Sequence, residues 1–319
     1  MYRKLLLGLI FSVAAAAPAL GQNYPERPLK LVVGYSPGGA SDIVGRLIAT
    51  QLGALNGQAV VVENRPGVGG MLGLGFVANS RPDGYTLGIA VSGTMVTGPH
   101  LQKTMPYDPL TAFEPISMVA KAPMVLLATP GFKSNTVAAI VKEAKAKPGS
   151  LMFASGAKAF ELAMRLFEAQ AGVNLGLVQY KGGSEAAMDV MAGRVPLMVD
   201  TIGAQQASIR AGKLTAVAVL DSHRSAVLPN VPTVAESGVP GYEAVGWIGV
   251  VAPKGTPAPI VAQLNTQLRK IMATPEVKEK LTALGFEPST DSPAEFNQLI
   301  RTEYARWGKV VKDAGIAPE

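Results

Sequence analysis

The chain has 319 residues, no cysteine, 48% hydrophobic residues and a formal net charge of +6. The missing cysteines exclude disulfides, thiol nucleophiles and cysteine metal sites in one step, so stability must come from apolar cores. The charges are scattered without a basic block, which argues against nucleic acid, whose binders gather Lys and Arg on one face; a mildly positive surface slightly favours the arrival of anions.

Taken in chain order, the first feature is a basic start at Arg3 and Lys4, an apolar run from Leu5 to Ala17 and a small-residue exit at Ala19-Leu20-Gly21. That order reads as a secretory signal over residues 1–21. The run falls short of the about 20 apolar residues a spanning helix needs, although an uncleaved anchor is the alternative. No Cys follows the run to carry a lipid. The remainder is long enough for two domains.

Short apolar runs then alternate with amphipathic ones. Leu29 to Val33 reads as a strand. Asp42 to Leu55 reads as a helix with Ile43, Leu47, Ile48 and Leu52 on one face. Ala59 to Glu63 (strand), Met71 to Ala78 (helix) and Tyr85 to Val91 (strand, entered by the turn residues Pro82-Asp83-Gly84) continue the alternation. A second module follows. Ser134 is placed to cap a helix carrying Val137, Ile140, Val141 and Ala144. Leu151 to Ala154 is a strand, and Glu161 to Ala171 a helix with Gly172 at its C-terminal cap. Leu177 to Tyr180, Val195 to Val199 and Leu214 to Leu220 are strands, with a helix from Ser184 to Ala192. Strands alternating with helices imply an α/β fold of mostly parallel sheets with helices on both faces.

The C-terminal part is helical. Thr256-Pro257 and Thr274-Pro275 each place a capping hydroxyl before a first-turn proline. Ser292-Pro293-Ala294-Glu295 is a capping box ahead of a helix with Phe296, Leu299, Ile300, Trp307 and Val310 in register. Two extended apolar segments, Pro115 to Thr129 and Tyr242 to Ala252, are the candidate crossings between modules, which suggests two lobes around a hinged cleft.

The polar residues gather where strands hand over to helices. Ser36-Pro37-Gly38-Gly39-Ala40-Ser41-Asp42 precedes a helix whose first amides lack internal partners and whose dipole end is positive. With Ser36 and Ser41 as hydroxyl donors, the loop suits a carboxylate or other small anion; a tight turn with Ser41 or Asp42 as a plain helix cap explains the same spacing. It is not a P-loop, since the Lys-Ser/Thr ending is missing. Glu63 to Gly70 repeats the design, and there backbone packing is the better reading. Ser92-Gly93-Thr94, Ser155-Gly156-Ala157-Lys158, Tyr180 to Ser184 and Asp200-Thr201 also sit at strand ends, where open parallel sheets bind ligands. Catalysis has little support. His100 and His223 are the only histidines, no Gly-x-Ser-x-Gly elbow is present, and no His-rich metal spacing occurs. We therefore expect no catalytic residue, metal or cofactor; a small-ester hydrolase using Ser36 or Ser92 is the enzymatic alternative.

Tyr24-Pro25-Glu26-Arg27-Pro28, Pro37-Gly38-Gly39 with Asp42, Val62 to Gly67, Pro82 to Leu87, Pro106 to Pro109, Tyr180-Lys181-Gly182, Ala211 to Leu214, Val231 to Val234 and Trp307 to Val311 together resemble the tripartite tricarboxylate transporter receptors, the Bug family. The resemblance covers nearly the whole chain after residue 21. It implies a type II-like periplasmic-binding-protein fold with two hinge crossings, lobe one being 24–122 plus 247–319 and lobe two 123–246. It further implies a monomeric periplasmic receptor for a small carboxylate, such as a di- or tricarboxylate, acidic amino acid or aromatic acid, with membrane transporter subunits as partners. A receptor presenting its liganded form to a signalling partner is the alternative. Carried over by motif, the ligand contacts are Ser36, Gly38, Gly39 and Asp42, with Ser92 and Thr94 nearby, and Ser155, Gly156 and Asp200 from lobe two. Relatives often follow this Ser-Gly with a turn rich in Asn, Gly and hydroxyls and then a His. Here Ala157-Lys158-Ala159-Phe160-Glu161 stands instead. Either Lys158 pairs with a second ligand carboxylate, Phe160 packs on an apolar or aromatic ligand body, or Lys158 points into water.

Overall fold

The structure is a computed structural model, and it describes residues 24–318. The signal segment expected over residues 1–21 lies outside the described residues. The first module runs β1 (Leu29–Val33), α1 (Ala40–Asn56), β2 (Val60–Asn64), α2 (Met71–Ala78) and β3 (Thr86–Val91). β1 pairs in parallel with both β2 and β3. α1 packs on this sheet through Val44, Ile48 and Leu52, all fully buried, a spacing of four that keeps one face inward. Ile43, expected in that stripe, is one position off and exposed.

The second module comprises α3 (Val137–Ala146), β5 (Met152–Ser155), α4 (Lys158–Ala171), β6 (Gly176–Gln179), α5 (Gly183–Met191), β7 (Leu197–Thr201), α6 (Ile202–Arg210) and β8 (Thr215–Val219), reached through the 16-residue strand β4 (Phe113–Ala128). β5 pairs in parallel with β6 and β7. The chain returns along β9 (Val245–Pro253) and ends in α7 (Ala258–Ala273), α8 (Pro275–Ala283), the short β10 (Glu287–Pro288) and α9 (Pro293–Asp313).

β4 and β9 join the modules into one curled sheet of order β2-β1-β3-β9-β4-β7-β5-β6. The first part of β4 pairs antiparallel with β9, from Phe113↔Pro253 to Pro123↔Val245. Its last five residues pair antiparallel with β7. Parallel pairing is thus kept within each βαβ core, and the long strands add antiparallel ladders between them. The strand positions expected as lobe limits lie opposite each other, since Ala122 faces Gly246 and Lys121 faces Trp247. Among the described residues, no helix is long and apolar enough to cross a membrane.

Several helix starts differ from expectation. Thr136, not Ser134, caps α3 by accepting from the Ala139 amide. Thr256 and Thr274 donate their hydroxyls backward, to Pro253 and Ile271 carbonyls, so neither side chain caps the helix after it. The Ser292–Glu295 capping box is present in both directions.

Candidate functional site

Three loops at the C-terminal ends of β1, β2 and β3 lock one another into a single rim. Asp42 is only 2% exposed. Its carboxylate accepts from the Gly38 amide (2.9 Å), Arg46 Nε (2.9 Å) and Asn64 Nδ2 (2.8 Å). Burial opposes its ionisation, but these three hydrogen bonds and the Arg46 charge together hold the carboxyl at about 2. Asn64 also donates to the Tyr35 carbonyl (2.9 Å) and accepts from Arg46 Nη2 (3.0 Å). Tyr35 in turn donates its hydroxyl to the Gly69 carbonyl (2.8 Å), and burial pushes that hydroxyl up to about 12.

The third loop is tied in the same way. Thr94 donates to the Val91 carbonyl and accepts from the Val91 amide, and Tyr107 donates to the Thr94 carbonyl. Gly70 closes the set: a Cβ there would meet the Tyr35 ring at 2.9 Å and Thr94 Cγ2 at 3.1 Å. Ser36, Gly38 and Gly39 stay exposed at the start of α1, and Ser41 and Ser92 are half-buried. α1 carries no side-chain cap, its N-cap being Gly39.

The opposing face comes from the second module. Ser155 is fully buried and donates to the Ala157 carbonyl (2.9 Å). Gly156 lies hard against the α5 entry, where a Cβ would sit 2.3 Å from the Gly183 amide nitrogen. α4 and α5 also start without side-chain caps, at Ala157 and Gly182. Asp200 is buried under this turn, accepting from the Thr201 amide and Gln205 Nε2 at 2.7 Å each. Burial raises its pKa against those bonds.

Between the two faces lies a cavity of ≈ 380 Å³. Tyr35, Val68, Gly69 and Gly93 line it from the first module, Ala157, Lys158 and Ala159 from the second, and Ile316 and Ala317 from the C-terminal tail. Of the expected contacts, Lys158 lines it directly; Ser36, Ser92, Thr94 and Gly156 are each one residue from a lining position. The side-chain oxygens of Asp42, Thr94, Ser155 and Asp200 are engaged within the protein and brace the rim. Lys158 donates to Glu161 (3.1 Å), and Phe160 packs on the core. Val68 and the tail were not expected at the cavity. The Glu63 to Gly70 loop was read as backbone packing although it repeats the first glycine loop, and a few residues beyond a helix carry no pattern that marks them.

Larger hollows lie elsewhere, ≈ 570 Å³ between α4 and α9 and ≈ 680 Å³ beside β1 and α2. The first is walled by the Arg165–Glu168 ion pair and by Arg306, and neither includes a residue of the strand-end loops. Among the described residues, the acid and imidazole group that could hold a metal is Asp221, His223 and Glu287. His223 faces Asp221 through Nδ1 (3.4 Å) and Glu287 through Nε2 (3.3 Å). His100 is tied to the Tyr304 carbonyl (2.8 Å); among the described residues neither histidine bonds to Ser36 or Ser92.

Residues 44–316 match the family described as tripartite tricarboxylate transporter family receptor. Protein BugT of Bordetella pertussis is 36% identical over 314 residues, which is 97% of this chain and 96% of that protein. A solved structure of Rpa4515 from R. palustris with adipate is 37% identical, covers 93% of this chain and all of that one, and superposes with a TM-score of 0.78. MatC (Rpa3494) from Rhodopseudomonas palustris with bound malate is 31% identical, covers 90% of this chain and all of that one, and gives 0.73.

Proposed function

Because the chain belongs to the tripartite tricarboxylate transporter receptor family, we propose that it is a periplasmic solute-binding receptor that closes on a small carboxylate and presents it to the membrane subunits of its transporter. The observation that carries this reading is the cavity between the two modules, placed where strands end and helices begin. α4 begins at its wall, after Ala157, with no side-chain cap, and α1 and α5, which start at neighbouring strand ends, lack one too. Uncapped first-turn amides and the positive dipole end favour a carboxylate. The Ser36 and Ser92 hydroxyls add donors at the rim, and Lys158 adds a cation on the facing wall.

No chemistry is required of these groups. The ligand must only bind the closed arrangement better than the open one to shift the protein toward it. Two similar solved structures hold dicarboxylates, adipate and malate, and support the ligand class. A thermal-shift screen over organic acids tests the reading. A true ligand at about 100 times its Kd adds about 2.7 kcal/mol to stability and raises the unfolding midpoint. A flat response to every mono-, di- and tricarboxylate would overturn it.

A further inference from the structure

Where the chain leaves β8, two acids and an imidazole come together outside the cleft. Asp221 and His223 follow β8, and Glu287 stands on β10 opposite Lys121 of β4. None of them lines the cavity between the modules. Asp221 is 1% exposed. Its Oδ1 accepts from the Ser222 amide (2.7 Å) and hydroxyl (3.0 Å). Its Oδ2 is buried and has no hydrogen-bond partner among the described residues. A buried carboxylate oxygen without a partner carries a desolvation penalty, and an ion or water that completes it removes that penalty.

One imidazole nitrogen and one oxygen from each of Asp221 and Glu287 lie within 4.8 Å of one another. The His223 contacts, at 3.4 and 3.3 Å, are longer than the about 2.7–2.9 Å of a charge-assisted hydrogen bond. The ring is therefore committed to neither acid, and its half-exposed side chain has room to turn. Tetrahedral zinc with bonds of about 2.1 Å spaces its ligand atoms about 3.4 Å apart, so small side-chain shifts bring the three groups onto one ion. The local charge favours a cation. Glu243 adds a third carboxylate through the Ser222 hydroxyl (3.3 Å). Lys121, 3.6 Å from Asp221, balances one of the three, and Arg224 is paired with Glu236. A cavity of ≈ 260 Å³ lined by His223, Arg224 and Glu287 gives an ion and its waters a way in.

We propose that Asp221, His223 and Glu287 bind one divalent transition-metal ion of the zinc type, joining the end of β8 to β10. An imidazole with two carboxylates suits such an ion better than magnesium or calcium, which take oxygen ligands. Asp221 and Glu287 lie two and 64 positions from His223, so no metal-binding spacing marks them in the sequence. The site does not depend on the carboxylate reading. The test is calorimetric titration of the untagged, chelator-treated mature chain with zinc chloride, repeated with magnesium chloride and with cobalt chloride read by its visible absorption. One zinc ion per chain is expected, with a cobalt band that saturates at the same ratio and no response to magnesium. His223→Ala and Glu287→Gln should each lower zinc affinity by more than about tenfold and remove the cobalt band. Zinc should raise the unfolding midpoint of the wild type and leave that of His223→Ala in place, which also shows that the variant is folded. No zinc binding at millimolar concentration, or variants that bind as the wild type does, overturns the site. An equal response to magnesium overturns a site built on the imidazole.

Discussion

At the scale of single residues, Asp42 shows how the same motif serves two purposes. The sequence places it in a glycine loop before a helix, where a ligand contact and a local cap look alike. The structure spends its carboxylate on Gly38, Arg46 and Asn64, so Asp42 fixes the loop's shape and takes up the Gly38 amide itself. An acceptor-only group would in any case repel a ligand carboxylate. Asp42→Asn should cost about 2 kcal/mol in denaturant unfolding, because Arg46 loses its counter-charge and one donor is left unmatched. The pH dependence has a defined direction. A folded-state value of about 2 lies below the ordinary value of about 3.9, so the stabilisation is present in full above the ordinary value. It drains away as pH falls from about 4 through 2. With Arg46 half in water, it amounts to about 1–2 kcal/mol. Chemical denaturation of wild type and Asp42→Asn at pH 7 and pH 2.5 checks both statements. The two proteins should differ at neutral pH and draw together in acid; a gap that stays constant would remove the carboxylate from the account.

At the scale of elements, strand and helix existence was legible because burial periodicity is written directly in side-chain type, as in Ile48 and Leu52 of α1 or the run of β4. Ends were less so. Ser134, Thr256 and Thr274 each have the right hydroxyl at a plausible position, but a nearby backbone carbonyl or a better-placed neighbour, Thr136, wins locally. α6 went unread because Gly203, Gln205, Gln206 and Ser208 dilute its apolar stripe; it is a helix because Thr201 caps it and Ile202 and Gln205 are buried. α4 starts at Lys158, three residues before the expected Glu161, which carries Lys158 and Ala159 from loop into a helix start at the cavity. Gly156 makes that start possible by letting the β5–α4 turn touch the β6–α5 turn backbone to backbone. Gly156→Ala meets rigid backbone, not a flexible side chain, so it should destabilise by about 3 kcal/mol. It should also splay the α4 and α5 starts, so that carboxylate affinity falls by more than stability alone explains. Titration of the folded fraction, well below the unfolding midpoint, separates these effects. Unaltered affinity there would mean the two turns do not act together on a ligand.

At the scale of the molecule, the architecture follows from how two strands are shared. β4 spans both sheets without a break, and β9 returns beside it, so that the two crossings are hydrogen-bonded neighbours at Pro123 and Val245. The sequence showed both extended segments but not that the second pairs with the first, because register is a property of two distant segments together. Both polar and apolar links cross this region: Lys121 approaches the buried Asp221 (3.6 Å), His223 spans Asp221 and Glu287, and one apolar cluster holds Met71, Trp247 and Phe296 together with Phe153 and Phe167. Polar links of this kind can exchange with water as the strands flex, whereas the apolar clusters on either side resist deformation and move as blocks. Ligand binding should therefore change the angle between blocks and little within them. The absence of cysteine makes this measurable, since Val61→Cys on β2 and Met188→Cys on α5 introduce two labelling positions, each 55% exposed. Energy transfer between dyes at these sites should shift on adding a carboxylate that raises the unfolding midpoint. The shift should saturate with the same dissociation constant that calorimetry gives. Binding without any change in transfer would show that the cleft is filled in place, and the hinge would then have no part in capture.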